Sequence, residues 1–217
     1  MSKQPRLLNQ SDRDYWLAWE PRVEGMLVDL AERGFVCERH CYTNGFTDDP
    51  RCRIRPAVAD ALERAREALP TGYNFRIHDA WRPWVVQERL ATKYRVTIAE
   101  AHPGWSKEQV EAELVILAPP IRVLPSFDSH RYGGAVDLTI LDAGGQALDM
   151  GTPLPYMAGP EAGLLFFETA AETPQHRLFR ENRRLLIRVM HGARFLPNLD
   201  EWWHWGFASD VRAEGLI

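Results

Sequence analysis

"SHRYGGAVDLTI", residues 129–140, sets a histidine and an aspartate, His130 and Asp137, seven positions apart across two consecutive glycines. Its second half alternates, with Val136, Leu138 and Ile140 on one side and Ala135, Asp137 and Thr139 on the other. A period of two predicts a strand over 135–141 with one apolar face on a core. Asp137 then projects from the opposite face, into solvent or into a cleft. His130 lies in the preceding loop, where Gly133 and Gly134 let the backbone turn sharply. A loop histidine and a strand aspartate can converge on one ion. They can equally be a surface loop and a solvated acid, and the spacing leaves both readings open.

Working outward, "NFRIHDAW" at 74–81 predicts a second strand, Phe75 and Ile77 on one face and Arg76 and His78 on the other. Residues 57–69 carry Val58, Ala61, Leu62, Ala65 and Leu69 on one helical face, after Pro56 and before Pro70-Thr71-Gly72. A further helix is expected from Ser106, which forms a capping box with Gln109. Another opens at Thr173-Pro174 and stops at Gly192, and within it "RENRR" at 180–184 reads as a solvated face. The aromatic "FLPNLDEWWHWGF" at 195–207 reads as extended structure near the core. Helices mixed irregularly with a few strands predict an α+β fold, and with no repeat or low-complexity linker, 1–217 is expected to be a single domain.

The bulk numbers narrow the function. With 26 basic against 30 acidic residues, a net charge of -4, the chain has no general affinity for nucleic acid. No apolar stretch approaches the ~20 residues that span a bilayer, and the first residues carry no apolar leader, so no membrane partner is expected. Cys37, Cys41 and Cys52 make neither an even disulfide set nor a C-x2-C zinc pair, and read as reduced thiols of a cytoplasmic protein. Nucleotide-binding glycine loops and the G-x-S-x-G elbow are absent. A homo-oligomer is compatible with all of this.

Chemistry concentrates in two further stretches. In "DEWWHWGF" at 200–207, Glu201 and His204 stand among Trp202, Trp203 and Trp205. Aromatic surroundings disfavour a charged carboxylate and bring its pKa towards that of a general base. His130, Asp137 and His204 then supply three ligands and Glu201 a base, the inventory of a catalytic zinc site with one Zn2+. Two histidines and a carboxylate also bind iron in non-haem oxygenases, which normally begin with a shorter H-x-[DE] pair. In "HDAWRP" at 78–83, Arg82 follows a strand and precedes the stiff Pro83, where a guanidinium can meet a developing oxyanion or simply stack on tryptophan.

These stretches, in this order, resemble the zinc D-alanyl-D-alanine dipeptidases, the VanX-like family. That family carries D-x-[YW]-R-P, S-x-H-x-x-G-x-A-[IV]-D-[LI]-[TS] and a late E-W-W-H. Here they are "DAWRP" at 79–83, "DSHRYGGAVDLT" at 128–139 and "EWWH" at 201–204, with looser likeness in "YTNGFT", "MGT" and "NRRLLIRVM". The resemblance implies zinc on His130, Asp137 and His204, Glu201 as base and Arg82 as the transition-state arginine. It also implies a small central antiparallel sheet packed by helices, with the zinc in a cleft on the sheet, acting on a small dipeptide. The departures fall on substrate recognition. Asp128 replaces the family's serine beside Ser129, Tyr132 replaces an arginine, and "MGTPLPYMAGPE" has no acid before Glu161. Asp128, Ser129 and Tyr132 are therefore the expected substrate-binding positions. The alternatives are a related carboxypeptidase or L,D-endopeptidase of peptidoglycan stem peptides, and a non-catalytic zinc-containing binder.

Overall fold

A computed structural model describes residues 10–117, 129–155 and 159–207. The chain passes through α1 (Gln10–Met26), β1 (Val28–Asp29), β2 (Val36–Cys37), α2 (His40–Thr43), β3 (Arg53–Ile54), α3 (Pro56–Glu67), β4 (Asn74–Asp79), α4 (Trp84–Ala101) and α5 (Lys107–Leu117). A 3-10 turn, His130–Tyr132, then leads into β5 (Ala135–Leu141), followed by a second 3-10 turn at Pro160–Ala162, α6 (Phe166–Thr169), α7 (Pro174–Gly192), β6 (Phe195–Pro197) and β7 (His204–Phe207). Asp128 lies outside the described residues.

The strand anticipated over 135–141 is the centre of a five-stranded sheet of order β2-β4-β5-β7-β6. The pairs β4–β5, β5–β7 and β7–β6 are antiparallel, as expected. The edge strand β2 joins β4 in parallel. Parallel neighbours need a crossover, and the segment holding α2, β3 and α3 provides it. The aromatic stretch 195–207 divides into β6 and β7 around a turn at 198–203.

Cross-strand partners share a face, so the register sorts side chains into two layers. Val136 faces Trp205 and Leu138 faces Ile77, and these residues join Phe75, Ile140 and Phe195 in the main core. The core is closed by Val58, Ala61, Leu62 and Ala65 of α3 and by Leu186, Val189 and Met190 of α7. On the other face α4 and α5 build a second apolar cluster around Val86, Leu90, Ile98, Val110 and Leu114. A cleft opens between that cluster and the sheet, walled by Gln87, Leu90 and Tyr94 of α4 and by Asp79, Asp137 and His204 of the strands. All seven residues of β5 are consequently buried, and Asp137 faces a cleft rather than bulk solvent.

Local chemistry sets the helix ends. Ser106 N–H donates to Gln109 Oε1 at 2.8 Å and Gln109 N–H to Ser106 Oγ at 3.3 Å, the anticipated reciprocal cap. Thr173 Oγ1 accepts from His176 N–H at 3.0 Å at the start of α7. One expectation fails inside α7: Arg183, in the supposedly solvated "RENRR", is only 2% exposed. Four residues from Phe179 and three from Leu186, it lies on the helix's inward stripe. Among the described residues no helix is long and apolar enough to cross a membrane.

Candidate active site

The register places the functional side chains. Asp137 and His204 are directly paired across β5 and β7, so both project into the cleft. His130 arrives from the 3-10 turn, which ends at Gly133 with φ of 60°, a left-handed conformation suited to glycine. Asp79 arrives by an irregularity. Between Ile77 and Asp79 the β4–β5 register slips, and Asp79 faces Asp137. By strict alternation Asp79 would share the core face with Ile77. The bulge instead turns His78 and Asp79, consecutive residues, into the same cleft.

His130, Asp137 and His204 each offer one atom to a common point. His130 Nε2 is 3.2 Å from His204 Nδ1 and 3.3 Å from Asp137 Oδ2, and His204 Nδ1 is 2.9 Å from Asp137 Oδ1. Donors about 2.0–2.1 Å from a tetrahedral ion stand roughly 3.3 Å from each other, and the separations here are of that order. His130 Nδ1 is 2.6 Å from the Ala80 carbonyl. A carbonyl only accepts, so Nδ1 donates there, and that bond aims Nε2 at the cleft. Burial alone would raise the Asp137 pKa; the adjacent histidines outweigh it and hold the carboxyl well below its usual range. Together the three are a group that could hold a metal ion.

Arg82 is clamped. Its Nε donates to Asp79 Oδ2 at 2.8 Å and its Nη1 to Gln87 Oε1 at 3.0 Å, and Nη2 also bonds Asp79. Those bonds engage three of the five guanidinium N–H groups and leave two for a ligand. Its Nη2 lies 3.7 Å from Asp137 Oδ2, which sets the guanidinium beside the metal-binding group. Burial would raise the Asp79 pKa too, but Arg82 and His130 hold it below its usual value, so it stays an anion. Asp79 and Gln87, which hold Arg82 at the cleft, were not singled out from the sequence, although Asp79 opens the "DAWRP" motif.

Glu201 lies in the turn between β6 and β7 and lines the same cleft. Burial raises its pKa to about 7; the lowering influence of His204 is smaller. Its Oε2 accepts from Asn198 Nδ2 at 3.1 Å. The tryptophans around it act as anticipated, with Trp203 lining the cleft and Trp202 and Trp205 buried in the core.

Of the substrate-binding positions, Ser129 is half-buried on the cleft wall. Tyr132 is not on that wall; it packs with Val23 of α1, Met26, Leu27 and Trp81. With three residues per turn, the 3-10 turn sends His130 and Tyr132 to different sides. Glu161 is also off the cleft wall, and its carbonyl accepts from Arg183 Nη2 at 2.7 Å. His40 and His78 do line the cleft, with rings 4.3 Å apart and His78 Nδ1 3.0 Å from Glu38 Oε2.

The family model for D-ala-D-ala dipeptidase matches residues 23–213, a span that contains every residue of the cleft. A D-alanyl-D-alanine dipeptidase of Synechocystis sp. is 26% identical over 175 residues, 74% of this chain and 71% of that protein. A D-alanyl-D-alanine dipeptidase of Escherichia coli is 26% identical over 187 residues, 82% of each chain. With a match of that extent over a cleft of this chemistry, the chain belongs to the D-ala-D-ala dipeptidase family of peptidases.

Proposed function

We propose that the protein is a single-domain, cytoplasmic zinc dipeptidase that hydrolyses D-alanyl-D-alanine or a related D-amino-acid dipeptide. The observation that carries this is the triangle of His130, Asp137 and His204 donors in one cleft with Glu201 and Arg82. His130, Asp137 and His204 are the residues that would hold the zinc. A zinc ion held there would supply Lewis acidity to a water and to the substrate carbonyl. Glu201 accepts the proton of the attacking water and delivers it to the leaving amine, a task suited to a carboxyl with pKa about 7. Arg82, clamped by Asp79 and Gln87, turns its remaining N–H groups on the negative charge that grows on the scissile carbonyl oxygen. The cleft holds about 210 Å³. That is small against the ~300–1,000 Å³ of pockets for drug-sized ligands and is in keeping with a small substrate. The three cysteines are free thiols, in keeping with a reducing compartment.

The test is a panel of L- and D-dipeptides, D-alanyl-D-alanine included, with a pentapeptide arm, on wild type and Glu201→Ala after metal analysis. The reading requires stoichiometric zinc in both proteins, preferential cleavage of a D,D-dipeptide, and a loss of roughly 10²–10⁴-fold in kcat for the variant. Near wild-type turnover by Glu201→Ala would sink the assignment. Faster release from the pentapeptide would make it a carboxypeptidase instead.

A further inference from the structure

Glu201 sits in a turn, and a base on a turn needs something to aim it. Asn198, at the start of that turn, has its amide engaged at both ends. Its Oδ1 accepts from the backbone N–H of Asp200 at 3.1 Å. That bond fixes which way the amide faces, because only the oxygen can meet a donor. Nδ2 is thereby committed to the other side, where it donates to Glu201 Oε2 at 3.1 Å. The main chain completes the frame: Asn198 N–H donates to the His204 carbonyl at 3.0 Å, and His204 N–H donates to the Glu201 carbonyl at 3.1 Å. One residue therefore ties the carboxylate to the strand end that carries the third metal-site donor. Asn198 also lines the cleft itself.

We propose that Asn198 is a positioning residue for catalysis: by occupying Oε2 of Glu201 it leaves Oε1 as the oxygen that takes and returns the proton. This rests on the reading of Glu201 as the base. A side chain free to rotate would offer either oxygen in many orientations, and proton transfer requires one orientation within hydrogen-bond reach of the attacking water. The competing account is that Asn198 merely builds the turn, since asparagine bonding its own backbone two residues on is a common turn device.

Two substitutions separate these accounts. Asn198→Asp keeps an oxygen to accept from the Asp200 N–H but has no donor for Oε2, and sets a second carboxylate against Glu201. Asn198→Ser keeps a turn acceptor, adds no charge, and is too short to reach Glu201. Both are to be assayed with D-alanyl-D-alanine beside wild type and Glu201→Ala, with zinc content and thermal midpoint recorded. Positioning requires kcat to fall about tenfold or more in both variants, with KM within about twofold of wild type, zinc unchanged and the midpoint nearly unchanged. Wild-type kcat in either folded variant, with Glu201→Ala inactive, overturns the role of Asn198 and leaves the base in place. Losses that track zinc content or thermal midpoint overturn it as well, in favour of the turn. Activity retained by Glu201→Ala would instead refute the base reading itself.

Discussion

Glu201 owes its chemistry to its surroundings more than any other side chain in the cleft. A carboxyl lifted to about 7 by burial is protonated through the weakly acidic range, and a protonated carboxyl cannot act as a base. Activity should therefore fall as pH drops through the Glu201 pKa and level off above it. A cation on the neighbouring donors favours the ionised form, so the midpoint should lie at or below about 7. A pH profile of kcat/KM checks this, and an acid limb that is absent below pH 7 and above the ordinary carboxylate range would contradict it. His204→Ala removes a corner of the donor triangle and should lose both zinc and turnover, whereas Glu201→Ala should lose turnover alone. Metal analysis of the two purified variants separates those outcomes. Arg82→Ala should keep zinc and lower kcat by roughly 10²–10³-fold, the worth of a single oxyanion donor.

At the level of elements, the site depends on places where regular structure is interrupted. The bulge in β4 brings Asp79 to the cleft, the 3-10 turn brings His130, and the β6–β7 turn brings Glu201. Gly133 is the joint between the 3-10 turn and β5. It has φ of 60°, and a Cβ there would stand 2.9 Å from Leu27 Cδ2 and 3.3 Å from Arg55 N. Gly133→Ala should cost about 2 kcal/mol, part left-handed strain and part crowding. It should also weaken zinc binding, because it moves His130 relative to Asp137; denaturant melts with zinc titration would show both effects. Arg183 of α7 plays a structural role from inside the helix stripe. It donates to the carbonyls of Met150 (2.8 Å), Gly163 (2.5 Å) and Glu161 (2.7 Å), tying segments 150–151 and 161–163 to α7. Burial lowers its pKa to about 10, so it remains charged. Arg183→Met should destabilise by about 3 kcal/mol or more, because three carbonyls lose a charged donor. A loss of unfolding free energy in urea of less than about 1 kcal/mol would refute the tie.

For the whole molecule, the donor triangle is a long-range clasp. His130 and His204 are 74 positions apart in sequence, and Asp137 and His204 are 67 apart. A ligand that binds only the folded chain stabilises it by about 3–4 kcal/mol at a hundred- to thousandfold excess over its Kd. For a domain of this size each kcal/mol is worth roughly 2–4 °C. Chelation should therefore lower the thermal midpoint by about 5–15 °C, reversibly on adding zinc, and an unchanged midpoint would show that no ion occupies the clasp. Much of this organisation was legible in the residues. Period-two alternation gave β5 its two faces, the Ser106 and Thr173 starts marked their helices, and the resemblance of the "DAWRP", "DSHRYGGAVDLT" and "EWWH" stretches to family motifs pointed to a metal-dependent hydrolase. The strand alternation and the helix starts are local, decided by φ/ψ preference, side-chain periodicity and short-range hydrogen bonds. α1, with Pro21 inside it, and the β-branched α4 carried too weak a pattern to be read that way. What the sequence by itself determined, then, is which residue types were available for the chemistry and which faces of β4 and β5 are apolar. Only tertiary structure decided that Asp137 meets a cleft instead of water and that a register slip recruits Asp79 to hold Arg82. It alone put Tyr132 under α1, Arg183 inside the core stripe, and Asn198 against Glu201. All but the last depend on a partner distant in sequence or on a break in periodicity, which local preference does not encode; Asn198 and Glu201 are three residues apart, and what brings them together is the turn that joins β6 to β7.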